Sequence, residues 1–166
     1  MGTRTQGMYS DMARKPSRKH GPGTKTTRTA WCGLTIHEGN PWLAASPDVL
    51  EIASNVLLEI KCPTPETMKK YGSLEGLLAS GKYDMRYNGP ELILSPKGKN
   101  AYYTQVQLQL YCSGQHSCDF VVFAGKKGYI AKVPYDKVFI DSLLPKLRSI
   151  YFEHHLPALV DQHADL

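Results

Sequence analysis

The chain has 166 residues, 42% of them hydrophobic, which suits one domain with a single sizeable core. No apolar run reaches the ~18 residues that a membrane helix needs, and the N-terminus lacks the apolar segment of a secretory signal. We therefore expect an intracellular protein with no membrane partner.

The net charge of +5 is unevenly distributed. Residues 1–28 hold seven of the twenty Lys and Arg residues and one acid, a net of +6, whereas the remainder has a net of −1. A basic segment rich in Gly, Pro, Ser and Thr is typical of a disordered arm that binds DNA phosphates by counterion release. It is also typical of a nuclear targeting segment, or of an end with no dedicated role. The DNA-binding candidates in this segment are Arg14, Lys15, Arg18 and Lys19.

Asp48 lies between two apolar stretches. It follows Trp42-Leu43-Ala44-Ala45, and the polar pair Ser54-Asn55 precedes Val56–Cys62, as a hairpin connection requires. The β-branched and apolar residues of Val56–Cys62 predict a strand that Pro63 ends. A hairpin of this length would bring Asp48 beside Glu59.

Glu59 and Lys61 lie two positions apart in this strand, so they share a face, while Leu58, Ile60 and Cys62 face the other way. Charged side chains in an apolar strand are costly to bury unless they are paired or bind metal. Two carboxylates and a backbone carbonyl, here that of Ile60, suffice for Mg²⁺, and Lys61 would offset charge on a scissile phosphate. The alternative is that Glu59 and Lys61 form a salt bridge on the protein surface and have no catalytic role.

Two short helices and a turn-rich stretch are predicted next. Thr64 and Pro65 are typical of a helix start, with the helix reaching Tyr71, and a second helix is predicted from Ser73 to Ala79. Residues 82–99 are rich in turn signals. The following block, Gln105 to Leu110, alternates polar and apolar residues, which favours a strand, although Gln and Leu are good helix formers.

The C-terminal third predicts a hairpin and a closing helix. Two strands, 118–124 and 129–133, flank a turn at Gly125–Gly128 whose Lys126 and Lys127 are weak candidates for phosphate contacts. An amphipathic stretch from Tyr135 predicts the helix. A zinc half-site at Cys112, His116 and Cys118 is a weaker hypothesis than core or loop cysteines.

Three ordered blocks carry a family resemblance. They are Pro41-Trp42-Leu43-Ala44-Ala45-Ser46-Pro47-Asp48, then Leu58-Glu59-Ile60-Lys61-Cys62-Pro63, then Tyr102-Tyr103-Thr104-Gln105-Val106-Gln107-Leu108-Gln109. Together they resemble the YqaJ viral recombinase family, which is similar to phage lambda exonuclease and belongs to the PD-(D/E)xK nucleases.

The resemblance implies an α/β fold, a restriction-endonuclease-like mixed sheet flanked by helices, and a helix at the glutamine block. It implies that Asp48, Glu59, Lys61 and Gln105 are catalytic, that Asp48, Glu59 and the Ile60 carbonyl bind Mg²⁺ or Mn²⁺, and that the partner is DNA. Glu38 is a weak candidate for a further acid, with a solvated turn residue the favoured interpretation. Related exonucleases also imply a homo-oligomer.

On this basis the expected organisation is a basic tail at 1–29, a nuclease core at 30–155 and a C-terminal tail at 156–166. The expected function is DNA exonuclease activity in recombination or repair. Two alternatives stay open: a PD-(D/E)xK endonuclease, and an inactive DNA-binding module. A further interpretation is that the chain is an incomplete copy that lacks the family's N-terminal helices, which would favour the inactive module.

Overall fold

The computed structural model describes residues 29–163, which form a mixed β-sheet, two small two-stranded sheets and several helices. The strands are β1 (Thr29–Trp31), β2 (Thr35–Ile36), β3 (Ala44–Ala45), β4 (Val49–Glu51), β5 (Val56–Lys61), β6 (Met85–Asn88), β7 (Glu91–Leu94), β8 (Ser117–Ala124) and β9 (Lys127–Pro134). The helices are α1 (Pro65–Tyr71), α2 (Leu74–Ala79), α3 (Tyr102–Ser113), α4 (Lys137–Ser149) and α5 (Leu156–His163), with a π-helical segment (Ile150–His155) before α5. Among these residues no helix has the length and apolar character needed to span a membrane.

The main sheet has the strand order β1-β4-β5-β8-β9. β5 and β8 run parallel, and the other neighbours are antiparallel. A parallel pair needs a long crossover, and here the crossover contains α1, α2, the β6–β7 hairpin and α3. The expected mixed sheet with helices is therefore confirmed, and the crossover brings α3 back over the sheet.

The hydrophobic core lies between this crossover and one face of the sheet. The helices and the sheet both contribute residues to one buried cluster, among them Leu77, Leu78, Val106, Leu110, Leu57, Cys118 and Phe120. Along β5, Leu57 and Glu59 are the buried residues, whereas Leu58 and Ile60 are half-buried. Glu59 therefore points toward the same side as the core, as its two-residue spacing from Leu57 requires.

The first predicted helix start is confirmed, and the second helix begins one residue later than predicted. The Thr64 hydroxyl accepts the Thr67 N–H at 3.2 Å, and Pro65 is the first residue of α1. The Ser73 hydroxyl accepts the Gly76 N–H at 3.0 Å, which makes Ser73 the cap of α2 rather than its first residue.

The glutamine block is helical, as the resemblance implied. α3 ends at Gly114, whose φ of +68° favours glycine. Its start has no local side-chain cap, because the residue before it is Ala101 with φ +56°. The carboxylate of Asp84 supplies an acceptor instead, since it takes the Tyr102 N–H at 3.2 Å. A carboxylate at this end of a helix also complements the helix dipole.

The hairpin near Asp48 differs from the prediction. Its first strand, β4, begins after Asp48, and the turn before β5 contains Asn55 with φ +58°. Of the apolar stretch before Asp48, only Ala44 and Ala45 form a strand, and this strand pairs with β2 in a separate sheet. The reason is that Pro47, which has no N–H to donate, interrupts the ladder between the two stretches.

Residues 156–163 of the predicted C-terminal tail form α5. Leu156 keeps helical dihedrals after the π-helical segment, so the helical backbone continues through it. Residues 1–28, with the candidates Arg14, Lys15, Arg18 and Lys19, lie outside the described residues.

Replacing Gly98 with Ala should destabilise the protein by about 1–3 kcal/mol, the usual cost of overpacking. A Cβ at this position would lie 2.2 Å from Cγ of Asp84, whose carboxylate is tied to Asn100 and Tyr102 and has little freedom to move. Urea unfolding followed by circular dichroism measures the change. Gly33→Ala is the matched control, because a Cβ there meets nothing within 4 Å. Equal stability of the two variants would contradict the tight packing.

Candidate active site

Asp48 lies where the antiparallel ladder between β4 and β5 ends. The last pair is Val49 with Leu58, so the next positions along the two chains are Asp48 and Glu59. The Asp48 carboxylate (Oδ2) accepts the Ile60 N–H at 2.8 Å, a bond that a backbone carbonyl would have made had β4 been longer. This contact holds Asp48 against β5, next to Glu59.

Glu59 is only 2% exposed, yet each of its carboxylate oxygens accepts hydrogen bonds. Oε1 takes the Lys61 ammonium and the amide Nε2 of Gln105, the latter at 2.7 Å. Oε2 takes Nε2 of Gln109, also at 2.7 Å. Burying a carboxylate is costly unless donors replace its lost hydration, and here one cation and two amides do so. The structure therefore brings Glu59, Lys61 and Gln105 into direct contact.

Gln109 was not among the predicted site residues. Glutamines on a helix usually face solvent, but Gln107 is fully buried and Gln109 is 2% exposed. Gln109 also donates to the Ser46 carbonyl at 3.3 Å, so one amide touches both Glu59 and the segment that leads to Asp48. The available signal was its spacing: it lies one helical turn from Gln105 and on the same face.

Gln107 has a structural role. Its amide nitrogen donates to the Pro134 carbonyl at 2.8 Å, and its oxygen accepts the Asp136 N–H at 2.7 Å. The side chain therefore fastens α3 to the link between β9 and α4. Polar and apolar residues of the alternating block are both buried. The polarity of a residue in this helix therefore does not indicate whether it is exposed.

Lys61 lies between Glu59 and an aromatic ring. Its ammonium is 5.2 Å from the ring centroid of Tyr102, within the range of a cation–π contact, and the side chain remains 22% exposed. The lysine is thus anchored from two sides and still reaches solvent. A ligand that arrives from solvent can meet this ammonium without displacing the core.

The donor set suits a hard divalent cation. A carboxylate has about four acceptor positions. Three donors meet Glu59, and one N–H meets Asp48, so both carboxylates keep free acceptor positions. The Gln109 amide oxygen is buried with no partner in the described part of the chain, and a cation-bound water would satisfy it. No group of three or more His, Cys, Asp or Glu suited to a metal occurs in residues 29–163, but Mg²⁺ typically binds through one or two carboxylates plus waters.

The fold resembles that of an alkaline exonuclease from Laribacter hongkongensis, LHK-Exo. Its crystal structure matches with a TM-score of 0.55 and 23% identity, over 84% of this chain and 64% of that one. The structure of LHK-Exo in complex with dAMP gives 0.54 and 22% over the same shares. The present chain therefore covers less than two thirds of those proteins. A comparison with curated proteins gives no match.

The model of the YqaJ-like viral recombinase domain matches residues 17–116, more than half of the chain. The matched segment includes Asp48, Glu59, Lys61 and Gln105. The chain belongs to the YqaJ-like family.

The other predicted residues of this YqaJ-like chain lie outside the cluster around Glu59. Lys127 pairs with Glu75 at 2.7 Å, whereas Lys126 is exposed at the tip of the β8–β9 hairpin. Glu38 is exposed in a turn. Lys126 and Lys127 remain candidates for phosphate contacts, although the carboxylate of Glu75 competes for the second.

The zinc hypothesis gains no support within residues 29–163, where Cys112 and Cys118 are buried free thiols. Burial, followed by the nearby Glu59 charge, raises the pKa of Cys118 to about 12. Cys118 belongs to the core cluster, as the interpretation of core cysteines predicted.

Replacing Gln109 with Leu should lower the free energy of unfolding by about 1.5–3 kcal/mol, because a buried carboxylate loses a donor. Gln105→Leu should cost less, since Gln105 is only half-buried and Lys61 still serves the same Glu59 oxygen. Urea unfolding gives both values. In a double-mutant cycle, the cost of Gln109→Leu should shrink in a Glu59→Gln background. An undiminished cost there would mean that the amide acts through packing alone.

Cys118 should resist alkylation in the folded protein. At pH ~8, far below its raised pKa, the thiol is protonated as well as buried, and only the thiolate is a good nucleophile. Iodoacetamide followed by peptide mass spectrometry should therefore find label on the exposed Cys62 first. Label on Cys118 should appear only after denaturation. Similar labelling rates for the two cysteines in the native protein would show that the Cys118 environment opens readily.

Proposed function

We propose that this YqaJ-like protein is a metal-dependent DNA exonuclease that hydrolyses phosphodiester bonds in DNA recombination or repair. The observation that carries the proposal is the arrangement on β5, where Glu59 contacts Lys61 and Gln105 and the Asp48 carboxylate accepts the Ile60 N–H. The similar fold of an alkaline exonuclease, one structure of which contains dAMP, supports a deoxynucleotide substrate. Membership of a viral recombinase domain family supports the link to recombination.

Asp48, Glu59 and the Ile60 carbonyl would hold Mg²⁺ or Mn²⁺. When bound, such an ion activates water and neutralises charge on the phosphate. The Ile60 N–H fixes one oxygen of the Asp48 carboxylate, and the other oxygen has no hydrogen bond within residues 29–163. The amides of Gln105 and Gln109 restrict rotation of the Glu59 carboxylate, so that its geometry is set before substrate binds.

Lys61 would serve the reacting phosphate. Its ammonium contacts Glu59 and the Tyr102 ring and is still partly exposed, so it is available to donate to a phosphate oxygen as negative charge grows there. Gln105 is a neutral amide, and it orders Glu59 without changing the charge of the site. An endonuclease would use the same core, and the position of the first cut distinguishes the two activities.

Asp48→Ala and Lys61→Ala should each lower the rate of DNA degradation by at least ~10²-fold, because each removes a group that would act on the metal or on the phosphate. The assay follows nucleotide release from end-labelled linear duplex with Mg²⁺, and with EDTA, which should abolish it. Mononucleotide products from the first time points indicate an exonuclease, and internal fragments indicate an endonuclease.

Asp141→Ala and Lys137→Ala are the matched controls, because these residues form an exposed pair on α4. Both should degrade DNA at the wild-type rate. Wild-type protein that releases no nucleotide, or site variants as fast as these controls, would refute the enzymatic function. In that case the alternative of an inactive DNA-binding module would stand.

A further inference from the structure

A second cluster of charge lies in the middle of the crossover, around the β6–β7 hairpin. The loop before β6 and the loop after β7 enclose a cavity of about 210 Å³, and four cationic side chains line it: Lys82, Arg86, Lys97 and Lys99. This volume is several times the ~30 Å³ share of one water molecule, so a phosphate group fits. Residues 29–166 carry a net charge of −1, yet four of their thirteen basic residues meet here. The concentration is not a consequence of overall composition.

The four cations have no carboxylate partner in the part of the chain that the structure describes. None of them appears among its salt bridges, in contrast to Lys61, Lys127, Lys132 and Lys137. The carboxylate that lines the cavity belongs to Asp84, which is 1% exposed. Its oxygens accept the Asn100 N–H at 3.1 Å, the Asn100 amide at 2.9 Å and the Tyr102 N–H at 3.2 Å. These donors satisfy Asp84, and the cations stay available to an external anion.

The walls of this basic pocket are fixed by backbone contacts. The Ser95 N–H donates to the Asp84 carbonyl at 2.8 Å, and the Gly98 N–H donates to the Ser95 carbonyl at 3.1 Å. Gly98 packs so closely on the Asp84 side chain that no Cβ fits between them. A cavity built in this way exists before any ligand arrives, which lowers the cost of binding.

The basic pocket adjoins the candidate active site through Tyr102. The backbone of Tyr102 is bound to Asp84, and its ring lies 5.2 Å from the Lys61 ammonium. Tyr83, which lines the pocket, lies with its ring centroid 5.9 Å from that of Tyr102. Tyr102 and Tyr83 therefore connect the surroundings of Lys61 to the wall of the pocket, which places the two regions near enough for one DNA strand to meet both.

We propose that the basic pocket binds a second phosphate of the DNA strand that occupies the active site. The inference rests on the proposed function and names a phosphate subsite for the same substrate. The ligand is a phosphate oxyanion, either an internal phosphodiester or a terminal phosphomonoester. Lysine and arginine contacts to phosphates position a strand without reading its sequence, so the subsite sets where the strand lies and not which bases are cut.

Binding in EDTA tests this proposal without relying on catalysis. Fluorescence anisotropy of the full chain with labelled duplex is measured across a salt series, for ends with a 5′ phosphate and for ends with a 5′ hydroxyl. Lys97→Gln with Lys99→Gln should weaken binding ~10-fold or more and reduce the salt slope by about two, one unit for each phosphate-contacting lysine. Arg86→Gln should weaken it in the same direction.

Lys132→Gln with Lys146→Gln removes the same charge from exposed positions on β9 and α4 and should change affinity and salt slope much less. A larger loss with the 5′ phosphate places a terminal phosphate in the pocket, and an equal loss with both ends places an internal one there. Equal losses in the pocket and control variants, or no DNA binding by wild type, would overturn the proposal. Because the measurement needs no cleavage, an inactive protein that shows the pocket effect would refute only the proposed enzyme.

Discussion

The buried carboxylate of Glu59 is the constraint around which the rest of the site is organised. A charge that is 2% exposed needs donors, and β5 itself supplies only Lys61. The other two donors are Gln105 and Gln109, which lie one turn apart on α3. The helix must therefore cross the sheet with that face toward β5. The path of the crossover and the stability of the buried Glu59 charge therefore depend on each other, because a misplaced α3 would remove two of the donors that this carboxylate needs.

The position of Asp48 follows from where pairing stops. The pairing of β4 with β5 stops at Val49 and Leu58, and the Ile60 N–H beyond it is left for the Asp48 side chain. An ordinary strand end would present a backbone carbonyl at this point. Here the end of the ladder presents the half-buried carboxylate of Asp48, held against the residue after Glu59. The short length of β4 therefore determines where the Asp48 carboxylate lies.

Local sequence signals predicted the parts of this fold that depend on neighbouring residues. The apolar run of β5, the cap Thr64 and the β8–β9 hairpin follow from propensity and turn chemistry. Burial of Gln107 and Gln109 did not, since a glutamine in a helix is normally solvated and only tertiary contacts reveal otherwise. Asp84 was missed for the same reason: its partners Asn100 and Tyr102 lie 16 and 18 residues away.

Asp84 links the two charged regions of the molecule. Its carboxylate supplies the acceptor that Ala101 cannot offer at the start of α3, and this helix carries the amides that hold Glu59. The same carboxylate forms part of the wall of the basic pocket. Because the Asp84 side chain contacts the start of α3 and also lines the pocket, it would restrict how far the pocket can move relative to Lys61. Covalent geometry limits the spacing between two phosphates on one strand, so two sites that bind them together benefit from a rigid connection of this kind.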